Sequence, residues 1–136
     1  MNEAAKQWVA ALRSGRYDQT RDALRNIDVD GVTSYCCLGV ACEISNMGRW
    51  GEYDSWVDSS VKSLPGEGAW LSSMIQRRLG LKTVDGSFEM DGKMTSLTKL
   101  NDGLSKTFAE IADIIEANAD QLFEADGQSA GLQPDR

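Results

Sequence analysis

The sequence contains no histidine. That absence removes Ser-His and Cys-His nucleophile pairs, histidine general bases and every zinc site with an imidazole ligand. Cysteine is scarce as well, with Cys36, Cys37 and Cys42 the full complement of three. An odd number with two adjacent members argues against a secreted disulfide framework. Three crowded thiols also fall short of the roughly four ligands of a structural zinc site. Long apolar runs are missing too: nothing approaches about 18 uninterrupted apolar residues, so no membrane-spanning segment is expected. The start, Met1-Asn2-Glu3-Ala4-Ala5-Lys6, lacks the basic opening and apolar block of a signal peptide, and the expected location is the cytoplasm. Finally, Thr107 to Asp135 holds seven acidic residues and no Lys or Arg. Such a segment is repelled by phosphate backbones, which excludes it as a grip on DNA or RNA.

What is present fits one domain. The chain has 136 residues, 41% of them hydrophobic, enough for a core that needs neither metal nor disulfide staples. A single compact domain is expected over residues 1–124, with a flexible C-terminal tail over 125–136. The formal charge of -7 is concentrated at the C-terminal end; residues 1–106 carry 13 basic and 14 acidic side chains.

Hydrophobic spacing outlines the elements. Ala5, Trp8, Val9 and Leu12 recur at helical intervals, and Gly15 stands where a left-handed residue closes a helix over 3–14. Leu24–Ile27 and Val32–Tyr35 flank Asp28-Val29-Asp30-Gly31, a turn between two short strands. Tyr35-Cys36-Cys37-Leu38-Gly39-Val40-Ala41-Cys42 opens a helix over 36–46 that is apolar on nearly all sides, and therefore buried. Gly39 inside that helix costs about 1 kcal/mol relative to Ala, which predicts another element packed on its backbone. Residues 48–63 read as a long loop pinned by Trp50, Tyr53 and Trp56. Pro65, Gly66 and Gly68 mark a turn, and Trp70, Leu71, Met74, Ile75 and Leu79 repeat with helical spacing up to Gly80. Asp91-Gly92 is a two-residue hairpin turn between residues 87–90 and 93–97. Thr107 and Glu110 form a capping box ahead of a last helix whose buried face is Phe108, Ile111, Ala112, Ile115, Ala119 and Leu122. The expected fold class is α+β, with four helices around a buried cysteine-containing helix and one or two small β-hairpins.

Several stretches invite chemistry. The cysteines read best as small buried hydrophobes; thiolate formation at Cys36 or Cys37 would have to rely on a helix N-terminus or a cation. Asn26 to Gly31 imitates the start of a calcium loop, but the twelfth position falls on Cys37, so a plain turn is the better reading. Phe108-Ala109-Glu110-Ile111-Ala112 resembles the first helix of a helix-turn-helix, yet the residues after it are acidic and offer no basic side chain to a groove. Arg13, Arg16, Arg21 and Arg25 lie in and after the first helix, and Arg77 and Arg78 close the third. With aromatics such as Tyr17, Trp50, Tyr53 and Trp56 they supply the parts of a nucleotide site, guanidinium for phosphate and aromatic faces for bases. Asn101-Asp102-Gly103, read as a turn before the capped helix, offers backbone N–H groups to an anion.

Three blocks together, Trp8 to Gly15, Tyr35 to Cys42, and Leu100-Asn101-Asp102-Gly103 followed by Thr107 to Ala112, are similar to a group of small uncharacterised bacteriophage and prophage proteins. The resemblance covers residues 6–118, and the cysteine block is its most specific part. It brings no active site with it. It implies an accessory protein directed against host defences, either sequestering a nucleotide signal or masking a host protein. The leading expectation is thus non-catalytic capture of a small anionic nucleotide by Arg13, Arg16, Arg25, Tyr53, Trp56, Arg77, Arg78 and Asn101. Neither metal nor cofactor is expected, and a homodimer would enlarge the concave surface. One alternative is an acidic inhibitor whose Glu110, Asp113, Glu116, Asp120 and Glu124 face covers a basic surface of a host protein. Another is a cysteine-dependent enzyme.

Overall fold

The computed structural model describes residues 1–61 and 70–125. The turn expected at Pro65, Gly66 and Gly68 and the tail from residue 126 onward lie outside the described residues. Helix α1 (Glu3–Arg13) forms where the apolar spacing places it, burying Ala5, Trp8, Val9 and Leu12. The Asn2 side chain accepts the Ala5 N–H at 2.8 Å, capping the helix start. At the other end Gly15 takes the positive φ of 76° that turns the chain away.

Three short strands follow: β1 (Asp18–Gln19), β2 (Arg25–Ile27) and β3 (Thr33–Tyr35). They form one sheet in the order β1-β3-β2, with β1 parallel and β2 antiparallel to β3. The β2–β3 hairpin is the one the sequence predicts; β1 is an addition too short to show a strand pattern. In its turn Asp28 Oδ1 accepts the N–H groups of Asp30 and Val32 at 2.9 and 3.0 Å. The carboxylate is spent on its own turn, which is where the likeness to a calcium loop ends.

Helix α2 (Cys37–Ser45) is buried without a break from Cys37 to Cys42. It sits in the middle of the molecule, against α1, β3 and the later helices α3 (Ser73–Leu79) and α4 (Leu97–Asp102). A helix enclosed on every side has no place for a polar stripe, so the sequence of its first two turns is apolar throughout. Asn46, at φ 58°, ends it in the left-handed region.

The long loop expected over 48–63 contains a hairpin instead, and its last two residues, 62 and 63, lie outside the described residues. Strands β4 (Arg49–Trp50) and β5 (Trp56–Val57) pair antiparallel, with Trp50 opposite Trp56. Two-residue strands carry no readable alternation, and the tip between them places Tyr53 and Asp54 at φ 57° and 55° where a glycine would be the usual turn signal. Downstream, Leu71, Ile75 and Leu79 are buried as the spacing predicts, but α3 starts after the Ser72 cap, and Trp70 lies outside it, 57% exposed.

Strands β6 (Ser87–Met90) and β7 (Lys93–Ser96) pair across Asp91-Gly92, whose φ values of 54° and 79° suit the expected tight turn. Helix α4 then replaces the turn read at Asn101-Asp102, and Leu104 beyond it is half exposed. Helix α5 (Phe108–Ala117) opens with both halves of the capping box in place. It breaks at Asn118, and α6 (Ala119–Leu122) has only four residues. No recognition helix follows α5 among the described residues, which ends the helix-turn-helix reading. The result is α+β, with six helices and small sheets of two or three strands among the described residues.

One buried carboxylate ties the hairpin to α3. Asp58 accepts the Trp56 indole N–H at 2.8 Å, the Ser60 N–H and hydroxyl at 2.8 and 2.6 Å, and the Ser72 hydroxyl at 2.5 Å. Burial alone would raise its pKa, but the donors from Ser60, Ser72 and Trp56 outweigh it and hold the carboxyl below its ordinary value. The native state therefore gains stability from ionised Asp58 above the unfolded-state pKa, about 3.9, and loses it as pH falls through the lower folded value. The stability difference between the wild type and Asp58→Asn is expected to be largest near neutrality and to shrink in acid. Urea unfolding at a series of pH values measures it; a difference independent of pH would contradict this role.

Candidate functional site

The cysteine block is core. Cys36, Cys37 and Cys42 are free thiols, each buried. Burial pushes the Cys36 thiol up to about 12, and pushes Cys37 and Cys42 well above the ordinary value. The structural roles are specific: Cys36 Sγ accepts the Gly39 N–H at 3.4 Å as the cap of α2, and the Cys37 thiol points at the Leu97 carbonyl at 3.7 Å. Thiols held protonated and out of solvent are not poised as nucleophiles, so the cysteine-enzyme reading is set aside. No group of three or more Cys, Asp or Glu side chains is arranged to hold a metal among the described residues.

The eight residues predicted for the ligand do not line one concavity. Asn101 is fully buried and every polar atom of its amide is engaged. Its Oδ1 accepts from the Cys37 N–H at 3.1 Å and from Gln19 Nε2 at 2.8 Å, while Nδ2 donates to Thr20 O and Asp102 Oδ1, both at 2.8 Å. It locks β1, α2 and α4 together and offers nothing to a ligand. Trp56 is likewise in the core, its indole N–H given to Asp58. Arg13 reaches across to α5, donating to Asp113 at 2.6 Å and Glu116 at 2.8 Å. Hydrogen bonding to Glu116, then to Asp113, raises the Arg13 pKa further, and Arg13 lowers that of Glu116. Arg77 and Arg78 are exposed at the end of α3. The Arg78 carbonyl accepts from Asn2 Nδ2 at 3.0 Å, so that end meets the start of α1. Arg13 stands at the opposite end of α1, about 16 Å along its axis at 1.5 Å per residue. Arg16 is exposed beyond α1 and has no ion pair among the described residues.

What the fold does bring together lies around the β4–β5 hairpin. The Arg25 guanidinium sits 4.8 Å from the centre of the Trp50 ring. Its Nε and Nη2 both donate to Asp54 Oδ1, at 2.9 and 2.6 Å. Trp50 packs edge-on to Trp56 at 5.2 Å and tilted to Tyr35 at 6.1 Å, and Tyr17 closes the row against Tyr35 at 5.7 Å. Glu43 of α2 accepts the Trp50 indole N–H at 2.9 Å, fixing the ring. Burial, and then the nearby Glu43 carboxylate, raise the pKa of the Tyr35 phenol. At the tip Tyr53 is 87% exposed. Two of the predicted residues, Arg25 and Tyr53, therefore belong to one surface, and Trp56 supports it from beneath. Trp50 and Asp54 complete it; no spacing rule links Arg25 to Asp54, 29 residues away.

Two other features are less suited to an anion. A shallow depression of about 430 Å³ lies beside Met1, Lys82, Phe123 and the C-terminal end of the described chain, but Asp120 and Glu124 line it. The acidic row of α5 and α6 is exposed throughout, although Asp113 and Glu116 are paired with Arg13 and Glu110 caps its own helix. No helix among the described residues is long and apolar enough to cross a membrane.

No curated protein and no solved structure matches the chain. A family model does, over residues 1–119, described as a domain of unknown function, DUF8296. By that match over most of its length, the chain belongs to the DUF8296 family.

Proposed function

We propose that this protein is a non-catalytic binder of a small anionic nucleotide, and that the β4–β5 hairpin with Arg25 is where it binds. One observation carries the reading: a guanidinium stacked on an indole, Arg25 over Trp50 at 4.8 Å, beside an aromatic side chain that stands in solvent, Tyr53. Guanidinium recognises phosphate by charge and by paired N–H donors, and an exposed ring stacks on a base without regard to its identity. Arg13, Trp56 and Asn101 act in this reading as scaffold; Arg16, Arg77 and Arg78 lie outside it. A role as a sponge for a host defence signal would follow from the resemblance to phage proteins and adds nothing to the chemistry.

Isothermal titration against cyclic dinucleotides and ADP-ribose derivatives tests it. Binding of at least one member, lost in Arg25→Gln, is the expected result; no heat from any member would remove the proposal. A second reading, an inhibitor that covers a basic host surface, rests on the exposed carboxylates Glu110, Asp113, Glu116, Asp120 and Glu124. It predicts silence in those titrations and loss of partner capture when Asp113, Asp120 and Glu124 are neutralised together; retained capture would exclude it.

A further inference from the structure

Asp54 engages the Arg25 guanidinium. It presents a single oxygen to two donors of Arg25, Nε and Nη2, and the rest of the guanidinium fork makes no further hydrogen bond among the described residues. It reaches that position from a hairpin tip in which two successive non-glycine residues, Tyr53 and Asp54, stand at positive φ. For a residue as bulky as tyrosine that conformation costs on the order of 1–2 kcal/mol. The tip is stitched by short bonds, Gly51 N–H to Ser55 O at 2.7 Å and the Ser55 hydroxyl to Glu52 O at 2.8 Å. The ion pair is largely sheltered, with side-chain exposures of 19% for Arg25 and 25% for Asp54, while Tyr53 next to it is almost fully exposed.

We infer that Asp54 is an internal stand-in for the ligand anion, so that the site is self-occupied until a phosphate or diphosphate group displaces it. A phosphate offers two oxygens side by side to the fork where Asp54 offers one, and it carries more charge. On displacement Asp54 swings out to water and the tip relaxes. The free ring of Tyr53, adjacent in the chain, is then carried to the same end of the hairpin as the bound phosphate. The inference rests on the nucleotide reading for its ligand class, and it adds a threshold. Weak anions such as chloride or a single carboxylate do not outcompete a tethered carboxylate, whereas a diphosphate does. The apparent affinity of the wild type is then the intrinsic affinity reduced by the fraction of molecules with Arg25 released.

Titration of Asp54→Asn and Asp54→Gly with inorganic pyrophosphate and, separately, with ADP-ribose tests this. Asparagine and glycine both tolerate positive φ, so the tip can keep its shape, and an unfolding midpoint near that of the wild type confirms that each variant folds. Both variants are expected to bind both probes about tenfold more tightly than the wild type, the gain returned if Arg25 is released in roughly one molecule in ten. Adding Arg25→Gln to either variant should remove the gain. Equal or weaker binding by both variants, or no binding of either probe to any variant, overturns the inference. The two ideas separate cleanly. Tighter pyrophosphate binding with no preference for ADP-ribose keeps the self-occupied site and defeats the nucleotide reading. ADP-ribose binding that is unchanged in Asp54→Asn and Asp54→Gly does the reverse.

Discussion

Asn101→Ala is expected to destabilise the protein by about 2–4 kcal/mol, because the buried Cys37 N–H left without a hydrogen bond costs about 1–3 kcal/mol and the part-buried partners add smaller losses. The partners are the Cys37 N–H at the start of α2, the Thr20 carbonyl at the end of β1, the Gln19 amide and Asp102. Asn101 is wholly enclosed, and the Cys37 N–H it would leave behind is buried with it, while the other three partners are part-buried. Asn101→Asp is expected to be no better despite its matching shape. It sets a second oxygen against the Thr20 carbonyl and the Asp102 carboxylate, and it buries a charge. Urea unfolding of both variants measures the effect. A variant as stable as the wild type but unable to bind ligand would show instead that the asparagine faces a ligand.

Gly39→Ala is expected to cost about 2–4 kcal/mol, the upper end of the usual range for forcing an atom into a filled core and somewhat beyond it. The local preference runs the other way, since alanine favours a helix interior by about 1 kcal/mol. Packing decides the sign. A methyl group there would lie 1.8 Å from the Leu24 carbonyl oxygen and 2.8 Å from its carbon. That carbonyl is main chain, and it is held in place by the Cys36 N–H at 3.1 Å. Neither the Leu24 backbone, just ahead of β2, nor α2 can yield without breaking the contact between them. A thermal melt above or equal to that of the wild type would contradict the close packing of the Leu24 backbone on α2.

The same residue illustrates what a sequence can disclose about this fold. A glycine in an otherwise apolar helix signals a close neighbour, and the neighbour is Leu24. The apolar run from Cys37 to Cys42 signals a helix closed in on all sides, and the Thr107–Glu110 box and the Asp91-Gly92 turn announce their elements. These signals are local, which is why they can be read. The β4–β5 hairpin is not local in that sense: strands of two residues have no period, and its left-handed tip is built from Tyr53 and Asp54. Helix α4 is six residues long with Leu97 and Leu100 as its only buried apolar contacts, so its polar end passes for a turn. The Ser96 hydroxyl accepting the Lys99 N–H is the capping signal that could have located it.

The candidate site divides along the same line. Composition supplies arginines and aromatics, and the sequence sets out which residue types would serve an anion. Which arginine meets which ring depends on contacts across 25 to 30 positions, such as Arg25 with Asp54 and Trp50. Burial then removes others, Trp56 because it packs under Trp50 and Asn101 because its amide is fully engaged. Arg13 is withdrawn by carboxylates of α5, about 100 residues downstream by the 2.6 Å contact to Asp113.

The four tryptophans give the most direct test of where function lies. Their indole N–H groups report from separate places: Trp8 donates to the Cys37 carbonyl in the core, Trp50 to Glu43, Trp56 to Asp58, and Trp70 is exposed beyond the hairpin. Titration of the nitrogen-labelled protein with ADP-ribose or a cyclic dinucleotide, followed by the indole resonances, is predicted to move Trp50 most and Trp56 next, with Trp8 unmoved. Shifts confined to Trp8 or Trp70, or no shift at any indole, would contradict the assignment of the Arg25–Trp50 surface as the binding site.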